Sequence, residues 1–507
     1  MELATVFCRA EVGIDAPLVR VEVHSGNGLP KVTIVGLAQT AVKESRDRVQ
    51  AALENSGFLF PRTRLTINLA PADLPKAGGR YDLAIAVGVL LVSDQLPADR
   101  VADHEFLGEL GLDGSLRGIR GGLPVSLAAS RAKRTLIIAE ANAQEAALVS
   151  DSQVREASHL LEVCAHLCGT QPLSEPDPQA LGPRAVPDLA DVRGQRQARR
   201  ALEVAAAGGH NLLFYGPPGT GKTMLASRLP GVLPELSESQ ALESASVASV
   251  SHRGLNPKEF RCRPFRSPHH SASAAALVGG GTPPTPGEIS LAHNGILFLD
   301  ELPEFTRHVL EMLREPLESG AITLSRAGYQ VTFPARFQFV AAMNPCKCGY
   351  YGVDSRCQCG PAEVRRYRQR ISGPLLDRID MHVLMPRVTL RELNKAPGGE
   401  ASETVKERVA AGQIMQHERQ QQLNAQLSGG ALDQFAPLDK RTKAMLENVA
   451  DQLGLSTRAC HRVQRVARTI ADLAGQREIS IQHLSEAVQY RQLDRLSIDQ
   501  AANIAKS

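Results

Sequence analysis

Residues 216–223 read Gly-Pro-Pro-Gly-Thr-Gly-Lys-Thr, preceded by the apolar run Leu212–Tyr215 and followed by a segment of helical pattern. This is the phosphate-loop pattern G-x-x-x-x-G-K-[ST], with the strand before it and the helix after it that the loop requires. Gly219 and Gly221 allow backbone N–H groups to turn inward around phosphate oxygens. Lys222 has the reach to meet β- and γ-phosphates, Thr223 carries a hydroxyl suited to Mg²⁺, and the following helix adds its positive end. Gly216, Pro217, Pro218, Gly219, Thr220, Gly221, Lys222 and Thr223 are therefore the candidate ATP-binding set.

A second apolar run, "GILFLDELPEF" at 295–305, ends in Asp300 and Glu301. Beside a phosphate loop, Asp300 is the expected Mg²⁺ partner and Glu301 the group that polarises an attacking water. A third, "FQFVAAMNP" at 337–345, ends in Asn344, a polar residue placed to orient that water. Together these predict hydrolysis of ATP rather than binding alone. Further along, "ISGPLLDRID" offers Arg378, and "LSTRACHRVQRVARTIADL" carries Arg458, Arg462 and Arg465 on one helical face. Such a charge run is commonly just a solvated surface.

"NPCKCGYYGVDSRCQCG" sets Cys346, Cys348, Cys357 and Cys359 as C-x-C, eight residues, C-x-C. Four thiolates in one loop suit tetrahedral Zn²⁺. The spacing departs from the usual two-residue knuckle, so free thiols are the competing reading. The chain has nine cysteines and no secretory signal, which argues against a disulfide framework.

Two stretches carry clustered positive charge. "GAITLSRAGYQVTFPARF" at 320–337 alternates apolar residues around a glycine turn, predicting a β-hairpin with Arg326 at its tip. "FRCRPFRSPHH" at 260–270 holds Arg261, Arg263 and Arg266. Arg326, Arg263 and Arg266 are candidate contacts to DNA phosphates, without sequence readout. Arg326 reads equally well as an exposed turn residue with no partner. In the same stretch His269 and His270 are read either as phosphate contacts or as having no special role. "RRYRQR" at 365–370 is assigned to a subunit interface.

These motifs need elements to hold them. The 507 residues are 43% hydrophobic with a net charge of +3, an ordinary soluble composition with room for more than one core. The pattern divides into an α/β domain at 1–170, a Pro-rich linker at 171–187, a second α/β block at 188–390 and an all-α region at 391–507. The longest apolar run, Leu83 to Val92, is too short to span a bilayer, and the N-terminus fits no signal peptide, so a cytoplasmic protein without a membrane partner is expected.

The ordered set GPPGTGKT, LFLDE, MNP, SGPLLDRID and S-x-R resembles AAA+ ATPases of the helix-2-insert group, which includes magnesium chelatase motor subunits and MCM helicases. Longer phrases, among them "RPFRSPHHSASAAALVGGGTPPTPGEISLAHNGILFLDELPEF" and "VTIVGLAQTAVKESRDRVQAAL", resemble the Mg-chelatase-like competence proteins of the YifB family along nearly the whole chain. The resemblance implies an N-terminal domain of Lon-protease type (the ribosomal S5 domain 2-like fold), an AAA+ core with its helix-2 insert and pre-sensor hairpin, and a helical lid. It implies that Asn344 is sensor one, Arg378 an arginine finger acting on a neighbour's ATP, and Arg458 sensor two. A finger in trans implies a homo-oligomeric ring, usually a hexamer. The implied activity is a DNA helicase or branch-migration motor on single-stranded and branched DNA in natural transformation. The alternative is a chelatase-type ATPase driving a metal-insertion partner. Laid on the Lon pattern, the Ser position falls at Arg80 and the Lys position at Pro124, so no Ser–Lys dyad exists for peptide cleavage. Arg80 and Lys76 are expected on the surface, either facing nucleic acid or solvated.

Overall fold

In the computed structural model, residues 2–36, 42, 44–177, 186–326, 329–353, 355–389, 391–392, 398–491 and 493 are described. Part of the linker therefore falls outside the described residues, as do the two residues at the hairpin turn.

The N-terminal domain is a seven-stranded sheet. Its order is Lys31–Val35, Arg64–Ala70, Leu18–Gly26, Leu3–Arg9, His104–Leu107, Thr135–Ala139, Val154–Ala157. Antiparallel pairing of Leu3–Arg9 with Leu18–Gly26 gives way to parallel pairing from His104–Leu107 onward. Every residue of the helix Asp82–Val92 is buried, which is why that run is apolar all round rather than on one stripe. Gly88 lets the helix approach the sheet, since a Cβ there would lie 2.6 Å from Val23.

The second domain is built on five parallel strands, ordered Phe265–Arg266, Ile296–Leu299, Gln338–Met343, Leu212–Tyr215, Met381–Leu384. Strands buried on both faces must be apolar throughout, and Leu212–Tyr215 and Ile296–Leu299 are buried at every position. The helices Ser402–Gln420, Lys440–Leu453, Thr457–Leu473 and Ile481–Gln489 follow. They share one apolar core with the helix Arg196–Gly208. The mixed α/β architecture and the C-terminal helical region are those expected.

The two domains meet on a small cluster of Leu123, Val149, Leu236, Ala241, Ala245 and Phe260. Gly121 N–H donates to the Ser249 carbonyl at 3.1 Å, and Ser249 Oγ donates to Glu145 at 2.9 Å. A second joint lies at the hairpin Ala321–Arg326 and Tyr329–Pro334, whose Ile322, Leu324, Val331 and Phe333 are buried. Val12 and Ile14 of the N-terminal domain pack on the same core, with Gly13 so close that a Cβ would sit 2.4 Å from Val331.

The expected surface positions of Arg80 and Lys76 are corrected. Lys76 is fully buried, with Nζ donating to the Pro71 carbonyl. Arg80 is 5% exposed, paired with Glu11 and donating to the Arg120 carbonyl at 2.8 Å. A guanidinium thus fills the place a nucleophile would need. Pro124 is buried in the helix Gly122–Arg131. Nearby Cys8 is no substitute, because burial pushes its thiol up to about 12.

Candidate functional site

The parallel register sets three strand ends side by side. Leu212–Tyr215 pairs with Val340–Met343, and Leu299 pairs with Ala341. The residues that follow those ends are Gly216, Asn344 and Asp300, so the three motifs converge at the carboxyl edge of the sheet, where open α/β sheets bind ligands. Gly219 and Gly221 take left-handed conformations, φ 77° and 88°. Open space lies where a Cβ of Gly219 would stand, while one on Gly216 would lie 2.2 Å from the Met385 carbonyl. The first glycine is needed for close packing and the second for access to the loop's N–H groups.

Lys222 Nζ donates to the Gly216 and Pro217 carbonyls at 2.7 and 2.9 Å and to Asn344 Oδ1 at 3.0 Å. Burial pulls its ammonium down to about 8, against the opposing charges of Asp300 and Glu301. Thr223 Oγ1 donates to Asp300 Oδ2 at 2.5 Å. This hydroxyl–carboxylate pair is the donor set that Mg²⁺ takes, oxygen-only and beside the phosphate loop. Glu301 stands in the left-handed region, φ 51° and ψ 47°, uncommon for a non-glycine residue and characteristic of functional turns. Its carboxylate is half-exposed, and His270 Nε2 lies 3.7 Å away. The sequence offered His270 as a phosphate contact or as a residue of no special role, and gave no sign of Glu301 as its neighbour; the pairing of Phe265–Arg266 with Ile296–Leu297 is what carries it there.

The remaining candidates fall in different places. Arg378 is folded back on its own chain, pairing with Glu318 and donating to the Pro374 carbonyl at 2.6 Å. Arg458 is exposed in the first turn of Thr457–Leu473. Arg462 and Arg465, read from sequence as part of a charged face, are engaged. Arg465 donates to the Ala425 carbonyl at 3.2 Å and Arg462 to Asp380 at 2.8 Å. Burial works to raise the Asp380 carboxyl, but the His210 hydrogen bond and the Arg462 charge outweigh it and hold it well below the usual range. Since Asp380 lies two residues after Arg378, Arg462 ties the lid to the segment that bears the candidate finger.

Arg263 and Arg266, expected as contacts to DNA phosphates, are found engaged with partners in their own chain. Arg263 donates to the Pro234 and Asn294 carbonyls at 2.7 and 3.0 Å, and burial lowers it to about 10. Arg266 makes a two-pronged pair with Glu288 at 2.6 and 2.7 Å. Both guanidiniums are spent on holding the insert to the sheet. Arg326 is exposed at the end of its strand, paired across to Tyr329. In "RRYRQR", Arg368 donates to the Tyr215 hydroxyl and Arg370 to the Pro303 carbonyl.

The four loop cysteines gather, all Sγ atoms within 4.8 Å of one another. Three pairs stand at 3.3, 3.8 and 3.4 Å. Four sulfurs about 2.3 Å from one zinc would stand about 3.8 Å apart, so the donor set fits.

Three segments match families of magnesium chelatase: residues 188–393 the family described as subunit ChlI, 21–142 the one described as subunit ChlI of Mg-chelatase, and 399–491 the ChlI C-terminal family. The protein YifB of Salmonella typhimurium is 53% identical over 98% of this chain and 99% of its own. Competence protein ComM of Haemophilus influenzae is 51% identical over 98% of this chain and 99% of its own. Lon protease 2 of Bacillus subtilis is 27% identical over 31% of this chain and 29% of its own length. With end-to-end identity at this level and the AAA+ motifs converging at one sheet edge, the chain belongs to the Mg-chelatase-like YifB/ComM family.

Proposed function

We propose that the chain is an ATP hydrolase that drives a DNA helicase or branch-migration motor, working as a homo-oligomeric ring, a hexamer, on single-stranded and branched DNA. By likeness to competence protein ComM, the work is integration of incoming DNA in natural transformation, in the cytoplasm. Lys222 and the loop N–H groups hold the phosphates of ATP; Thr223 and Asp300 hold Mg²⁺, which neutralises phosphate charge when bound. Glu301 takes the proton of the attacking water, and Asn344 orients it. Arg378 leaves Glu318 to reach a neighbour's site, and Arg458 answers from the lid. The four cysteines hold one structural Zn²⁺.

The observation that carries the DNA reading is the hairpin. It leads within a few residues into the strand Gln338–Met343, which Asn344 follows, with Arg326 exposed at the hairpin's far end. A shift at Asn344 is thereby transmitted to a cation suited to phosphate contact. The family matches to chelatase subunits favour a second reading, a motor for a metal-insertion partner. Hydrolysis measured with single-stranded DNA, forked DNA, casein or protoporphyrin separates the readings. Stimulation by DNA supports the first, and stimulation by protoporphyrin with the partner alone would replace it.

A further inference from the structure

We infer that the four-cysteine loop is a working part of the ATP site: its metal clamps the phosphate loop, so that zinc occupancy sets nucleotide affinity. This rests on the zinc reading above and adds a function to it.

The chain leaves the sheet at Met343, passes Asn344 and enters the cysteine loop at once. Cys346 is buried, and its Sγ accepts the Tyr351 N–H at 3.4 Å while the Gly349 N–H donates to its carbonyl at 3.0 Å. That turn presses Gly349 on the phosphate loop. A Cβ at Gly349 would lie 2.8 Å from Pro218 Cδ and 3.9 Å from Asn344 Cγ. Gly349 also has φ 87°, a conformation that glycine alone adopts freely. From the other side, Arg368 donates to the Pro345 carbonyl at 3.4 Å and to the Tyr215 hydroxyl, joining the root of the loop to the strand that feeds the phosphate loop. The loop is thus packed against both the sensor residue and the phosphate cradle. Among its described residues, 345–353 and 355–360, no helix or strand holds it together. A tetrathiolate metal supplies what backbone pairing does not. Without it, the turn rests on the single hydrogen bonds from the Gly349 and Tyr351 N–H groups to Cys346 and from Arg368 to Pro345, so the packing of Gly349 on Pro218 loosens beside Asn344, whose Oδ1 accepts from Lys222.

The test uses the full chain. Zinc is measured by elemental analysis on protein never exposed to chelator, and ATP affinity by a fluorescent ATP analogue before stripping, after mercurial stripping with the mercurial then removed by excess dithiol, and after zinc return. Expected are roughly one zinc per chain, affinity about tenfold weaker after stripping, and recovery on adding zinc. Trypsin should cut after Lys347 and Arg356 only in stripped protein. Gly349→Ala keeps all four thiols, so it should retain zinc and still bind ATP about tenfold more weakly. Absence of zinc would overturn the metal reading itself. Zinc present, with unchanged ATP affinity in both stripped protein and Gly349→Ala, would leave the metal reading standing and overturn the coupling.

Discussion

Lys222 is the residue whose physics is most exposed to experiment. Its ammonium is lowered to about 8 by burial, and a bound polyphosphate favours the charged form. The proton is therefore lost from the free protein as pH rises through about 8 and regained when nucleotide binds. ATP affinity should fall between pH 7 and pH 9, and binding near pH 8 should take up protons, read as a dependence of calorimetric enthalpy on the buffer's ionisation heat. Enthalpies independent of buffer would show no net proton uptake and would contradict a Lys222 ammonium lowered to about 8 in the free protein. Lys222→Ala should lose nucleotide binding, whereas Glu301→Gln should bind ATP and hydrolyse it more slowly by about a hundredfold or more. An equal rate for Glu301→Gln would remove Glu301 from the role of base. That the phosphate-loop, Asp300-Glu301 and Asn344 motifs would meet was legible in the sequence, because phosphate chemistry restricts both residue type and spacing. Arg263, Arg266, Arg80 and Lys76 were not, because an arginine or lysine paired inside a fold and one facing DNA leave the same letters in the chain. Only long-range partners such as Glu288 and Glu11 separate the two.

At the scale of elements, the N-terminal domain kept a core and carries a buried ion pair in place of a protease dyad. Arg80→Ala leaves Glu11 without its partner, and since Arg80 is almost wholly buried the change should destabilise the domain by about 3 kcal/mol, seen in urea unfolding. A change within a few tenths would mean that the pair is solvated. The hairpin makes the opposite kind of prediction. Its buried face is fixed by Phe333 and by Gly13 on the neighbouring domain, while Arg326 stands free of that packing. Arg326→Ala should keep stability and basal hydrolysis and lose stimulation by DNA; stimulation equal to the unaltered chain would mark Arg326 as a bystander. Strand and helix identities here followed from period and apolar runs, such as the all-buried Asp82–Val92. What the sequence did not reveal was docking, because the contact of Val12 and Ile14 with the hairpin core spans about three hundred residues of chain and has no local signature.

For the whole molecule, the account requires subunits to complete one another's sites. Arg378 pairs with Glu318 within the chain, and Arg462 pairs with Asp380, two residues further on, from the C-terminal helical region; release of Arg378, the proposed finger, from Glu318 is expected to depend on where that helical region sits. Arg378→Ala should leave ATP binding near normal and depress hydrolysis. Mixing it with Lys222→Ala chains should restore part of the rate at hybrid interfaces, and failure in rings shown to be hybrid would argue against action in trans. The central claim, that ATP hydrolysis at this site moves DNA, is tested most directly by strand displacement on forked and four-way DNA with the full-length chain. The account predicts displacement with ATP by the unaltered chain, none by Glu301→Gln despite its binding ATP, and none with a non-hydrolysable analogue. Normal ATP hydrolysis without DNA stimulation or displacement on any branched substrate would contradict it.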